Sequence, residues 1–255
     1  MIKIINGDCV SEMEKLGKKS VNCIVTSPPY NFDIKYNEYD DGMPRDKYLE
    51  WLIDVAHGMH NVLTEDGSLF LNVGFKPVDP WLPYDVLNVF RQSFHAQNQF
   101  IWVKSAYVPQ AAKTYGHFRP LNSPRFVNRC WEFVFHLTKT AKNPIDRLAL
   151  GVHYEDNSNK DRWDNPDGIR CRGDVWCIPY KTKQKKGNHP ATFPPKLAKY
   201  AFLLHGLDRI DMALDPFVGE GNSALAAQKL GIDFVGFDID PLYCEVAMKA
   251  LEVAK

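Results

Sequence analysis

The stretch that most narrows the choice of fold lies in the last third of the chain. Residues 211–215 (Asp-Met-Ala-Leu-Asp) read as a short apolar strand and 216–222 (Pro-Phe-Val-Gly-Glu-Gly-Asn) as a tight loop. Residues 223–230 then have the composition of a helix, and 234–238 form the next strand. Asp240 and Pro241 place an N-cap and a helix-starting proline before a last helix, with Leu242, Val246, Ala250 and Leu251 on its inner face. Strands joined through a helix pair in parallel, and the crossover helices cover the faces of the sheet. An α/β fold with a mostly parallel sheet is expected.

The earlier part of the chain fits such a sheet. Residues 3–5 read as a strand ending in the turn Asn6-Gly7-Asp8, and 11–16 as a helix with Ser11 as N-cap. The apolar strand 21–26 runs into Ser27-Pro28-Pro29-Tyr30. Each proline lacks an N–H and fixes φ, so this corner is stiff. Residues 31–42 are polar and aromatic without a period, and read as a loop or lid. Tyr48, Leu49, Leu52, Val55, Ala56, Met59, Val62 and Leu63 recur at helical spacing over 45–63, and the turn 64–67 closes that helix. Further strands are expected at 68–73, 100–103 and 131–138, and helices at 84–93 and 196–205. Residues 104–128 and 139–179 show no periodicity.

Composition bounds the function. With 45% hydrophobic and 24% charged residues, the 255-residue chain has ordinary globular proportions. It has no apolar run of the ~20 residues a membrane span needs. The first eight residues turn polar too quickly for a signal peptide. The six cysteines form no C-x-x-C pair, so reduced thiols and a cytoplasmic location are expected. The histidines have no metal-ligand spacing, and no metal is expected. Net charge is zero, but its distribution is uneven. Residues 104–147 carry 8 basic and 2 acidic side chains, whereas 1–66 carry 7 and 12. The basic middle can neutralise the phosphates of a polyanion.

Two constellations carry chemistry. Glycines after the strand 211–215 let the backbone approach a ligand, and Asp238 ends the next strand, where an acid takes ribose hydroxyls. The loop is not G-x-G-x-x-G, and Glu220 between its glycines would repel a pyrophosphate. S-adenosylmethionine carries cationic sulfonium and ammonium groups and tolerates an acidic loop, so it is favoured over NAD. With a methyl donor present, the corner gains a meaning. An exocyclic amine conjugated to a ring is a poor nucleophile. Ser27 Oγ and a backbone carbonyl near Pro28 can accept its N–H groups, and Tyr30 can stack on the ring.

These motifs resemble, over nearly the whole chain, the β-class amino-methyltransferases of DNA. Thr26-Ser27-Pro28-Pro29-Tyr30 looks like that family's catalytic motif, and Asp215-Pro216-Phe217-x-Gly219-x-Gly221 like its cofactor loop. His189-Pro190-Ala191-Thr192-Phe193-Pro194 resembles its histidine-proline motif, and Asn6-Gly7-Asp8 its N-terminal motif. The resemblance implies a Rossmann-like, seven-stranded, mostly parallel and circularly permuted sheet with helices on both faces. It implies base flipping on double-stranded DNA, with S-adenosyl-L-methionine as cofactor. The expected cytoplasmic location is then that of the chromosomal DNA. The resemblance assigns Ser27, Pro28, Pro29 and Tyr30 to catalysis. It assigns Asp8, His189, Pro190, Phe193, Asp215, Phe217, Gly219, Gly221, Asn222 and Asp238 to the cofactor. Glu220 and Asn222 depart from the Ser and Thr common there.

The domain plan that follows has a catalytic part at 1–104 and target-recognition inserts at 105–180 around the strand 131–138. The cofactor part spans 181–255. Lys113, Arg119, Arg125 and Arg129 are the expected DNA contacts. A homodimer and a cognate restriction endonuclease are partners the resemblance admits; a membrane is not. A motif beginning with Ser is associated mainly with cytosine N4 in this family, with adenine N6 as the alternative. RNA or protein-glutamine methylation, or a binding module without turnover, are the more distant readings.

Overall fold

A computed structural model describes residues 1–34, 36–116, 121–155, 167–179 and 192–254. Its strands, in chain order, are β1 (Ile2–Asn6), β2 (Val21–Thr26), β3 (Leu63–Val73), β4 (His95–Val103), β5 (Ala106–Val108) and β6 (Lys113–Tyr115). They continue with β7 (Trp131–Thr138), β8 (Val152–His153), β9 (Ile169–Arg170), β10 (Val175–Cys177), β11 (Met212–Asp215) and β12 (Asp233–Asp238). The helices are α1 (Cys9–Glu14), α2 (Arg45–Val62), α3 (Leu82–Phe90), α4 (Pro195–His205), α5 (Asn222–Leu230) and α6 (Pro241–Val253).

Eight strands form one sheet in the order β1-β12-β11-β2-β3-β7-β4-β10. All neighbouring pairs are parallel except those of β7, which is antiparallel to both β3 and β4. The strands of the C-terminal third thus insert between β1 and β2, as a permuted order requires. From β2 the chain winds to β3 on one side, and from β11 to β12 on the other. The carboxyl ends of β11 and β2 therefore flank a topological switch point, where open α/β sheets bind ligands.

Alternation along the strands divides the core in two. Ile24, Leu69, Leu71, Leu214 and Phe237 face one layer with Met13 of α1, Leu52 and Met59 of α2 and Phe90 of α3. Cys23, Val25, Phe70, Ala213 and Phe234 face the other with Leu197 and Phe202 of α4 and Ala227 of α5. One residue of register sends each side chain to the opposite layer. Both layers are apolar, so the buried strands read as continuous hydrophobic runs.

Several local expectations are corrected. The sheet has eight strands rather than seven, because β10, inside a stretch expected to be irregular, pairs with β4. The antiparallel pairs β5–β6 and β8–β9 add further order to the inserts. Helix α1 is capped by Asp8, whose carboxylate accepts from the Ser11 N–H at 3.0 Å, rather than by Ser11. Residues 64–67 do not end a helix in a turn but belong to β3. Val21 pairs with Leu63 and Cys23 with Ser68, so these residues form an irregularity in the ladder. Strand β4 starts at His95, ahead of the apolar run at Phe100, because pairing with β7 extends it. The six cysteines are free thiols. Among the described residues, no helix is long and apolar enough to cross a membrane.

Candidate active site

One cavity of about 840 Å³ opens over the carboxyl ends of the central strands. Its size lies in the range of small-ligand pockets, roughly 300–1,000 Å³. Ser27, Pro28, Pro29 and Tyr30 line it, together with Asp8, Phe193, Asp215, Phe217, Gly219, Asn222 and Asp238. The corner and the glycine loop, far apart in the chain, are walls of the same space.

The corner is held from behind. The Tyr48 hydroxyl of α2 donates to the Pro29 carbonyl at 2.8 Å. Tyr30 is buried, and its hydroxyl lies 2.6 Å from Ser27 Oγ. Burial pushes the Tyr30 phenol well above its ordinary pKa, with the nearby Glu132 charge adding to the shift.

The glycine loop is organised by two acids. Asp215 is buried and accepts from Thr26 Oγ1 at 2.6 Å, Ser223 Oγ at 2.5 Å and the Phe217 N–H at 3.0 Å. Burial raises its pKa to about 6, against these three hydrogen bonds. Expected as a cofactor contact, it lines the cavity, and its carboxylate also ties the loop to β2. Asp238 accepts from the Gly219 N–H with one oxygen and the Asp240 N–H with the other, both at 2.9 Å. Each oxygen has a second lone pair to offer a ligand. Burial raises the Asp238 pKa as well. Gly221 is not on the cavity wall. Its φ of +84° and its packing against Ala247 shape the loop. Glu220 is buried but does not line the cavity; the acids that do are Asp8, Glu38, Asp215, Asp238 and Asp240, with Glu132 toward β7. The Asn222 side chain donates to the Phe193 carbonyl at 2.8 Å, joining the loop to the segment before α4.

Charge changes sign along the sheet edge. Acids stand at the ends of β1, β11 and β12, whereas Lys76, Lys104 and Arg129 outnumber Glu132 in the part of the cavity near β3, β4 and β7. A cationic ligand fits the first part, and an anionic or carbonyl-bearing one the second. Ser27 stands between them.

Of the expected DNA contacts, Arg129 lines the cavity, and its Nη1 is buried without a hydrogen-bond partner among the described residues. Lys113 and Arg125 are exposed away from it, over the rings of Tyr115 and Phe126. His189, Pro190 and Arg119 lie outside the described residues. Sequence reading missed Asn72, Lys104 and Glu132, all on the cavity wall. For Asn72 and Glu132 the signal was a lone polar residue in an otherwise apolar strand, as in Leu71-Asn72-Val73 and Trp131-Glu132-Phe133. It missed Asp41 too, whose carboxylate accepts from the N–H groups of Asn31, Phe32 and Ile34, next to the cavity-lining Phe32, Ile34, Tyr36, Glu38 and Tyr39.

Comparisons with known proteins bear on the family and the fold. The chain is 27% identical to the DNA adenine methyltransferase YhdJ of Escherichia coli K12, over 98% of this chain and 83% of that one. Its fold matches the PvuII DNA methyltransferase (cytosine-N4-specific) with a TM-score of 0.70 at 17% identity, over 99% of this chain and 90% of that one. It also matches TTHA0409 of Thermus thermophilus, a putative DNA modification methylase complexed with S-adenosyl-L-methionine. There the TM-score is 0.65 at 21% identity, over 100% of this chain and 94% of that one. The profile of the N6_N4_Mtase family, described as DNA methylase, matches residues 21–249, and the chain belongs to that family.

Proposed function

We propose that this protein transfers a methyl group from S-adenosyl-L-methionine to the N4 amine of a cytosine flipped out of double-stranded DNA. The observation that carries the reading is the shared cavity, in which Ser27 stands between the acidic and the basic ends. When bound, the cofactor supplies a methyl made electrophilic by its sulfonium. Asp8, Asp238 and Asp240 suit its cationic and ribose groups, and Phe193 and Phe217 its apolar surface. Ser27 Oγ and the Pro28 carbonyl accept the two N–H groups of the amine and direct its lone pair toward the methyl. The rigid Pro-Pro backbone holds this geometry before the base arrives, so little reorganisation is needed.

Two observations favour cytosine. Ser27 is a neutral acceptor, and the basic end of the cavity, with Arg129, can donate to the O2 carbonyl that cytosine has and adenine lacks. The similarity to YhdJ supports adenine N6 as the second reading. The inserts at 105–130 and 140–180 would read the target sequence, with Lys113 and Arg125 meeting phosphates.

The test is incubation with labelled donor and unmethylated DNA, followed by digestion to nucleosides. Label in N4-methylcytosine is expected. Label in N6-methyladenine would replace the cytosine reading, and label in RNA or protein alone would remove the DNA one.

A further inference from the structure

Beneath the corner lies a polar network that the reaction as described does not use. Glu132, at the start of β7, is 7% exposed. Its Oε1 pairs with Lys104 Nζ at 2.5 Å, and its Oε2 accepts from Asn72 Nδ2 at 3.2 Å. The Tyr30 hydroxyl lies 3.4 Å from Glu132 Oε2 and 3.3 Å from both Asn72 Oδ1 and the Asn72 carbonyl oxygen, so its proton has three acceptors on that side. Asn72 Nδ2 also donates to the Phe133 carbonyl at 2.9 Å. With its N–H groups so engaged, the Asn72 amide is oriented, and its oxygen faces Tyr30.

The direction of the hydrogen bonds then matters. Tyr30 has one proton. If it points to Ser27, one lone pair of Ser27 Oγ is lost to the target amine, and the Ser27 proton is left to compete with that amine. If it points instead toward Asn72 Oδ1 and Glu132 Oε2, Ser27 can donate to the Tyr30 oxygen. Both lone pairs of Ser27 Oγ then face the amine. A fixed negative charge behind Tyr30 favours the second arrangement.

We infer that Glu132 is a positioning residue for methyl transfer: through Tyr30, with Asn72 beside it, it orients the Ser27 hydroxyl so that its oxygen accepts from the target amine. This rests on the reading of Ser27 as that acceptor. Glu132 acts by its charge and takes no proton. Burial pushes its carboxyl up, but Lys104 and Arg129 and the hydrogen bonds from Lys104 and Asn72 outweigh burial and hold it below its ordinary pKa.

The test is a set of variants assayed for kcat, KM for DNA and donor affinity. Glu132→Gln is expected to lower kcat by about 10²-fold, the scale of a misoriented catalytic group. Donor affinity and KM should change by no more than about twofold, because the donor does not meet the Ser27 hydroxyl and the target amine is a small part of the contact with DNA. In a Tyr30→Phe background, Glu132→Gln should cost less than about threefold more, since the hydroxyl through which it acts is gone. Losses that multiply in the double variant would overturn the inference. Should Glu132→Gln fold poorly with Lys104 unpaired, the double variant Glu132→Gln/Asn72→Asp keeps a carboxylate in the network, beside Tyr30. It is expected to retain kcat within about tenfold of the parent, and a folded double variant without turnover would overturn the inference. Ser27→Ala separates the two layers. Unchanged turnover there defeats the reading of the corner itself. Lowered turnover there, with an unaffected Glu132→Gln, defeats only the role of Glu132.

Discussion

Thr26 and Asp215 are 189 residues apart in the chain and share a buried hydrogen bond of 2.6 Å. It joins the last residue of β2, where the corner begins, to the last residue of β11, where the glycine loop begins. Pairing of Ala213 with Cys23 and of Leu214 with Ile24 brings the two strand ends level. The relative position of the Pro-Pro corner and the glycine loop is set at this contact.

Thr26→Val keeps the shape and removes the hydroxyl. Asp215 Oδ1 then keeps the Phe217 N–H but loses a partner in a dry site. Stability should fall by about 1–3 kcal/mol, the usual cost of stranding part of a buried polar group. Urea unfolding measures this; a loss under about 0.5 kcal/mol would show that the contact does not hold the two strand ends.

Asp238 both shapes the loop, through Gly219, and faces the cavity. Asp238→Ala should weaken donor binding at least about tenfold, the loss of roughly one charge-assisted hydrogen bond. Calorimetric titration with S-adenosyl-L-methionine reads this directly. Unchanged affinity would refute the ribose assignment.

Gly221 and Gly231 separate strain from clash. Both have positive φ, +84° and +72°. A Cβ at Gly221 would stand 2.8 Å from Ala247 Cβ and 3.1 Å from its Cα, whereas at Gly231 it meets nothing within 4 Å. Gly231→Ala should cost only the left-handed strain, about 1–2 kcal/mol. Gly221→Ala should cost more and also weaken donor binding, because α5 and α6 must separate. Equal losses in thermal or urea unfolding would remove the clash argument.

Acid sensitivity should come from two buried histidines on the far end of the sheet. Ser68 Oγ lies 2.9 Å from His136 Nε2 and 2.9 Å from His205 Nδ1, and Asn98 Nδ2 lies 3.0 Å from His136 Nδ1. The Asn98 amide donates to His136, His136 to Ser68, and Ser68 to His205, so both rings are neutral. Burial pushes His136 down to about 3 and His205 down to about 4. A depressed folded pKa means the unfolded chain takes up protons first. The stability is whole above about pH 6.5 and is lost as pH falls toward the folded values, by roughly 1.4 kcal/mol per pH unit per histidine. Asp215, raised to about 6, and Asp238 and Asp41, also raised by burial, work the other way, whereas His60, lowered by burial, adds to the loss. Urea unfolding at about pH 7 and about pH 5 should show a net loss at the lower pH, smaller in His205→Asn. A flat profile in the parent would contradict the assignment.

What the sequence alone determined was local. Two prolines stiffen the chain wherever they stand, glycines open a loop to a ligand, and Asp240-Pro241 starts a helix by its own dihedral and capping preferences. For that reason the corner, the loop, most strands and the parallel class were legible before any contact was known. The meeting of Thr26 with Asp215 was decided only in the tertiary structure, because strand order across a permuted sheet is a matter of long-range pairing. The same holds for β10, which has three residues and no hydrophobic period of its own but gains order from β4. The roles of Asn72, Glu132 and Asp215 were hidden for a related reason. What a buried polar side chain does depends on which partners satisfy it, and those partners arrive from other strands.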